Sequence, residues 1–315
     1  MDLYTFYAMA AVSLFGLAFG SFLNVCIYRL PRGLSVVKPR SACPKCGSEI
    51  AAYDNIPVLS WVFLRGRCRR CGTPITPRYA IVELTTALLF LACFVVFQPF
   101  IGLVIKFCIF SFLTLGLIFT DCENRLLPDK LTLTGALVGL ALSVLPAFSP
   151  QLLDMFVGGP FSPSAHGAEL LTAFDWGWRS FANSLLGALV GAGFIWGVGE
   201  LYFRLRGMVG MGFGDVKLMA MIGAFLGVWS VLLTIFLGSV IGAVLGIAQF
   251  PLLWRKRVSS PSMMRRYPDK KERRREAYES AMRCLRLPFG TFLGIAALVT
   301  VFFGDAILRW YLGRF

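Results

Sequence analysis

Asp121 and Asp215 are the residues of this chain whose type and setting best suit chemistry. The first lies in Thr120-Asp121-Cys122-Glu123-Asn124-Arg125-Leu126-Leu127-Pro128-Asp129, the second in Gly210-Met211-Gly212-Phe213-Gly214-Asp215-Val216-Lys217. Each motif is predicted where a long apolar stretch meets water. A carboxylate at the edge of a bilayer is costly and needs a reason. Two at one membrane face suggest an acid–base pair, one holding a proton while the other accepts one from water. That is the chemistry of peptide hydrolysis by an activated water. A proton or cation pathway is the rival use, although carriers usually place their acids near the midplane. A third reading makes Glu123, Arg125, Asp129 and Lys130 ordinary solvated caps, with Asp129 as a helix N-cap after Pro128.

Other nucleophile systems are short of parts. The only histidine, His166, falls in a long stretch, 150–179, predicted to lie on the opposite side as an irregular loop. No serine or cysteine therefore has a histidine partner, and no HExxH sequence exists to make a zinc protease.

Four of the nine cysteines form a second constellation, Cys43-Pro44-Lys45-Cys46 and Cys68-Arg69-Arg70-Cys71, with 21 residues between the pairs. Thiolates two residues apart can grip one tetrahedral ion, and Gly47 and Gly72 after each pair allow the turn around the sulfurs. Zn²⁺ suits four thiolates, in a structural role that would supply much of the folding free energy of so short a segment. A redox dithiol pair is the lesser reading. Cys26, Cys93, Cys108, Cys122 and Cys284 are scattered and are expected to pack.

These groups must be positioned by membrane helices. The chain is 57% hydrophobic, only 15% charged, and its mean hydropathy is +0.70. Apolar runs long enough to cross roughly 30 Å of hydrocarbon predict eight helices, at about 4–28, 80–98, 101–120, 131–149, 180–203, 216–229, 231–253 and 288–312. The sixth and seventh divide around Gly227-Val228-Trp229. The expected fold is all-α and polytopic, with a small cytoplasmic zinc-binding module of four cysteines. Of 31 Lys and Arg, 27 fall in 29–78, 121–130, 204–217 and 254–287, which alternate spans place on one side; only Lys106, Arg179, Arg309 and Arg314 fall elsewhere. The positive-inside rule makes that side cytoplasmic and puts both termini outside. The reducing side argues against disulfides in the cysteine module. The net charge of +14 then reflects topology and does not by itself imply nucleic acid. Arg65, Arg67, Arg69 and Arg70 are read as meeting lipid headgroups or serving structure. The first segment lacks a basic start and a cleavage pattern, so it is expected to be retained.

Taken together, the motifs resemble the bifunctional type IV prepilin peptidases, prepilin leader peptidase/N-methyltransferases. The resemblance runs through Gly20-Ser21-Phe22-Leu23-Asn24-Val25-Cys26-Ile27-Tyr28-Arg29-Leu30-Pro31, both cysteine pairs, and Tyr53-Asp54-Asn55-Ile56-Pro57-Val58-Leu59-Ser60-Trp61. It continues through Arg78-Tyr79-Ala80-Ile81-Val82-Glu83-Leu84, both aspartate motifs and Leu287-Pro288-Phe289-Gly290. It implies a GxGD aspartic peptidase of the bacterial inner membrane. Such an enzyme cleaves the leader of prepilins or pseudopilins at the cytoplasmic face and methylates the new amine with S-adenosylmethionine. Asp121 maps to the first catalytic aspartate, with Asp129 the weaker candidate, and Asp215 to the second. Ion-coupled transport by the same acids remains the alternative, as does an adaptor without chemistry.

The division that follows is a first helix (1–28), a zinc-binding, methyltransferase-associated module (29–78) and a peptidase domain (79–315) with a basic loop (254–287). The expected partners are pilin substrates and membrane lipid. No cofactor fingerprint is visible, and Asp54, Asn55 and Glu83 are the polar candidates on the correct side. The stretches 150–179 and 254–286 look expanded; the second is read as an amphipathic or solvated helix on anionic lipid.

Overall fold

Apolar runs of roughly 20 residues have one way to satisfy their backbone in hydrocarbon, and the chain takes it. A computed structural model describes residues 3–98, 100–144, 173–207, 211–267, 269–284 and 288–312. Its helices are α1 (Leu3–Arg29), α2 (Leu59–Phe63), α3 (Arg78–Phe97), α4 (Ile101–Asn124), α5 (Asp129–Val144), α6 (Ala173–Arg206), α7 (Phe213–Val258), α8 (Pro261–Arg266), α9 (Lys270–Cys284) and α10 (Phe289–Leu312). Among the described residues there are no strands, only isolated bridges at Ala42–Glu49 and Arg67–Pro74. Among the described residues, five helices are long and apolar enough to cross a membrane: α1, α3, α4, α6 and α7; Phe289–Gly304 is a shorter apolar stretch. The protein is therefore a helical membrane protein.

α4 and α7 form the centre. Phe107 of α4 stacks on Phe97 of α3 at 4.4 Å, and Phe110 meets Phe225 of α7 at 5.2 Å. Leu218, Met219, Met221 and Ile222 of α7 are fully buried there, joined by Leu293 of α10. α1 closes against α3 and α4 through Leu23, Cys26, Ile27, Val82 and Leu115.

Several expectations shift. α4 does not stop at residue 120. It runs on until Arg125 takes the left-handed conformation and its N–H caps the Asp121 carbonyl at 2.8 Å, so Asp121 lies inside the last turn. Asp215 likewise belongs to the first turn of α7 rather than preceding it. Lys106 is buried within α4, inside the expected span, and Cys122, expected to pack, is exposed. Asp129 opens α5 and directs its carboxylate to Lys217 at 2.7 Å. The expected division of spans falls at Gly227, whose φ of 78° interrupts α7; the Asn183 side chain accepts the Val228 N–H there. Residues 173–179 are helical, not loop; His166 lies outside the described residues.

Beyond the break, α7 continues for about 46 Å at 1.5 Å per residue, longer than the ~30 Å hydrocarbon core. Its last turn carries Arg255, Lys256 and Arg257. α9, from the basic segment, packs back on it through Tyr278 against Phe250 and through its buried Ala277.

Candidate active site and metal centre

Three helix ends and one short loop build the aspartate site. Asp121 comes from the end of α4 and is only 6% exposed. Asp215 comes from the first turn of α7, where its N–H bonds to the Gly212 carbonyl. The start of α10 lies between them. A Cβ placed on Gly290 would sit 3.1 Å from Asp121 Oδ2 and 3.1 Å from Asp215 Oδ1. The two oxygens are thus no further apart than twice that distance. Gly290 has no side chain, and that is what lets the helix end come between the acids.

The next residue fixes one of them. Thr291 donates its backbone N–H to Asp121 Oδ2 at 2.6 Å and its hydroxyl to the same atom at 2.9 Å. An amide in the first turn of a helix has no partner within that helix, so a carboxylate from a neighbouring helix fills the role of a cap. Leu127, from the turn between α4 and α5, walls the site: it would lie 3.1 Å from a Cβ on Gly290 and 3.2 Å from one on Gly214. Sequence reasoning missed Thr291 and Leu127. The only available signal was a hydroxyl residue following Gly290 at the start of an apolar run.

Of the other candidates, Asp129 faces Lys217 outside the pair. Glu123 accepts two hydrogen bonds from Arg78 Nη1, at 2.6 and 2.8 Å, tying α3 to the end of α4.

The four cysteines converge as expected. Their sulfurs all lie within 4.8 Å of one another. Cys43 and Cys71 sulfurs are 3.8 Å apart, matching the edge of about 3.8 Å for a tetrahedron with ~2.3 Å Zn–S bonds. The two knuckles repeat one pattern: Cys43 N–H bonds to Ser48 O and Cys68 N–H to Thr73 O, while Gly47 and Gly72 turn with φ of 67° and 65°. Hydroxyls support the outer thiolates. Ser48 hydrogen bonds lower the Cys46 thiol, and Thr73 hydrogen bonds push Cys71 down to about 6. The donor set and its geometry fit zinc.

The loop between the knuckles was expected to pack its apolar residues under the metal centre, but Tyr53, Ile56 and Leu59 are exposed, and the loop is held mainly by hydrogen bonds. Trp61 Nε1 donates to the Ile75 carbonyl at 3.1 Å. Asp54 receives a forked contact from Arg69, which holds its carboxyl below the usual range; Asp54 is thereby a structural tie. Glu83 instead is buried at the junction of α1, α3 and this loop.

Residues 14–97 match the Bacterial Peptidase A24 N-terminal domain and residues 107–247 the Type IV leader peptidase family. The chain is similar to a prepilin leader peptidase/N-methyltransferase of Aeromonas hydrophila, with 33% identity covering 96% of this chain and 93% of the relative. One from Myxococcus xanthus is 41% identical over 75% of this chain and 62% of its own length. One from Pseudomonas aeruginosa is 32% identical over 95% and 91%. No solved structure matches the chain.

Proposed function

Because the chain belongs to the type IV leader peptidase family, we propose that it cleaves the leader from prepilins or pseudopilins and N-methylates the residue so exposed. The observation that carries the first activity is the meeting of Asp121 and Asp215 around Gly290. Asp121 Oδ2 is occupied by Thr291, which leaves its other oxygen for a water. One carboxylate takes a proton from that water as its oxygen attacks the scissile carbonyl carbon. The other gives a proton to the departing amine as the C–N bond breaks.

The site is built from helix ends, which places it in our reading at one membrane face, and Arg78 at the start of α3, just after the zinc module, pairs with Glu123 near Asp121. The basic segments on that face support a cytoplasmic location in a bacterial inner membrane. The reading of eight spans adds α5, α10 and a second span beyond Gly227 to the five long helices, and the break in α7 supports it. The boundaries 1–28, 29–78 and 79–315 separate first helix, zinc module and peptidase domain.

Cys43, Cys46, Cys68 and Cys71 would hold zinc as a structural ion. S-adenosylmethionine supplies the methyl group in the second activity. An ion-coupled carrier is set aside, since the matched family is one of peptidases. Incubation of the purified chain with a prepilin and S-adenosylmethionine tests the reading. A leaderless, methylated product supports it; intact prepilin overturns it.

A further inference from the structure

Outside the aspartate site, one buried acid has no part in the hydrolysis. Glu83 of α3 is 8% exposed, and beside it Asn24 of α1 is 4% exposed. α1 reaches this depth because Gly20 has no side chain: a Cβ there would fall 2.6 Å from Glu83 Cα. Glu83 Oε2 accepts the Val58 N–H at 2.7 Å. The Ser21 hydroxyl and the Asn24 amide stand near the carboxylate.

The hydrogen-bond count leaves a deficit of donors. The Asn24 Nδ2 group faces the Tyr79 carbonyl at 3.0 Å as well as Glu83. Flipping the amide would set oxygen against oxygen, so its orientation is fixed. Asn24 Oδ1 is then buried with no partner among the described residues. A carboxylate offers about four acceptor positions, and here the Val58 N–H fills one of them, with the Ser21 hydroxyl and the Asn24 amide nearby. Two acceptors therefore lack N–H or O–H donors, and one belongs to an acid. Such a place suits a small group with several donors and positive charge, which is a primary ammonium.

Its position fits the freed amine. Leu23, adjacent to Asn24, is close enough to α4 that a Cβ on Gly116 would lie 2.9 Å from its Cδ1. Asp121 is five residues further along α4, about 7.5 Å. α1 therefore packs on α4 about one and a half turns from Asp121, which puts Glu83 and Asn24 on helices neighbouring the one that carries the acid.

Resting on the reading of the chain as a peptidase that also methylates, we infer that Glu83 and Asn24 bind a primary amine and form the centre of methyl transfer. Glu83 accepts a proton from the ammonium, which frees the nitrogen lone pair. That pair bonds to the methyl carbon of the sulfonium donor as the C–S bond breaks, its electrons remaining on sulfur. The secondary ammonium formed then releases a proton to water. Val58, held by Glu83 at a φ of 58°, links this centre to the zinc module.

The test uses the full, zinc-loaded chain in detergent with a prepilin, and compares Glu83→Gln, Glu83→Asp and Asn24→Ala. Cleavage and methylation are read from product mass, S-adenosylmethionine binding by equilibrium titration, and zinc by content. Glu83→Gln keeps an acceptor for Val58. It is expected to lower methylation by about 100-fold while cleavage and zinc persist, with partial rescue in Glu83→Asp. Donor binding that persists supports the peptide amine as the bound group; donor binding that falls in step with methylation overturns the inference, because the site then holds the ammonium of S-adenosylmethionine. Unchanged methylation in Glu83→Gln overturns the inference and leaves a buried water at this place. Loss of zinc and cleavage in both Glu83→Gln and Asn24→Ala also overturns it, in favour of a purely structural clamp. Wild-type chain that cleaves without methylating contradicts the bifunctional reading instead.

Discussion

Thr291 holds a single oxygen of Asp121 twice, by its backbone N–H at 2.6 Å and its hydroxyl at 2.9 Å. The threonine thus orients one acid of the pair from the start of a third helix. Thr291→Val removes only the hydroxyl contact. A hydrogen bond to a charged group contributes about 1.5–3 kcal/mol, so kcat for cleavage should fall roughly 10- to 100-fold. Thr291→Ser should retain most activity. Steady-state kinetics with a pH–rate profile checks this, since a shifted profile would not follow from a role in packing alone.

Gly290 is the tightest steric point between the acids. In Gly290→Ala the new methyl would meet Asp121, Asp215 and Leu127, each at 3.1 Å. It would also take room needed by the attacking water. Cleavage should fall by about 10-fold or more, while zinc content and detergent-solubilised size stay normal.

Asp129 and Asp121 should separate cleanly. Asp129 is more than half exposed and pairs with Lys217, away from the dyad. Asp129→Asn is expected to keep cleavage within about threefold of wild type, the modest effect of an exposed ion pair. A collapse of activity in that variant would reassign the first acid.

Acid should loosen the zinc module, and the sign follows from Cys71. Its thiol is lowered from 9.0 to about 6 in the folded chain by Thr73. The stabilisation is therefore full above about pH 9, declines between 9 and 6, and is lost as pH falls through about 6. Bound zinc competes with protons for the same sulfur, so metal should be released on acidification. Thr73→Val should move that release to higher pH, as followed with a chromogenic chelator. Cys43→Ser or Cys68→Ser should release metal at neutral pH and reduce methylation more than cleavage.

Short-range patterns were the legible part of this fold. The cysteine knuckles showed in sequence because the spacing of Cys43 and Cys46, the following Gly47 and their repeat at 68–72 are all local. The helices showed because hydrocarbon demands long apolar runs. Their ends were less clear: residues 121–124 are polar yet continue α4, because the helix ends only where Arg125 turns left-handed. The site itself was half visible. Asp121 and Asp215 stood out as acids, but their meeting spans 94 residues of chain, and Thr291 reaches Asp121 across 170. Nothing local marks such contacts. The roles of Asp54 and Asp129 were open for the same reason, since Arg69 and Lys217 are partners supplied by the fold.

The central claim is that Asp121 and Asp215 act together on one water. The most direct measurement is the rate of leader release from a purified prepilin by Asp121→Asn, Asp215→Asn and the double variant, read by product mass. Each single variant should lose about 10³-fold or more, and the double variant should lose little beyond either one, as groups acting as a unit do. Wild-type cleavage by either single variant would contradict the account.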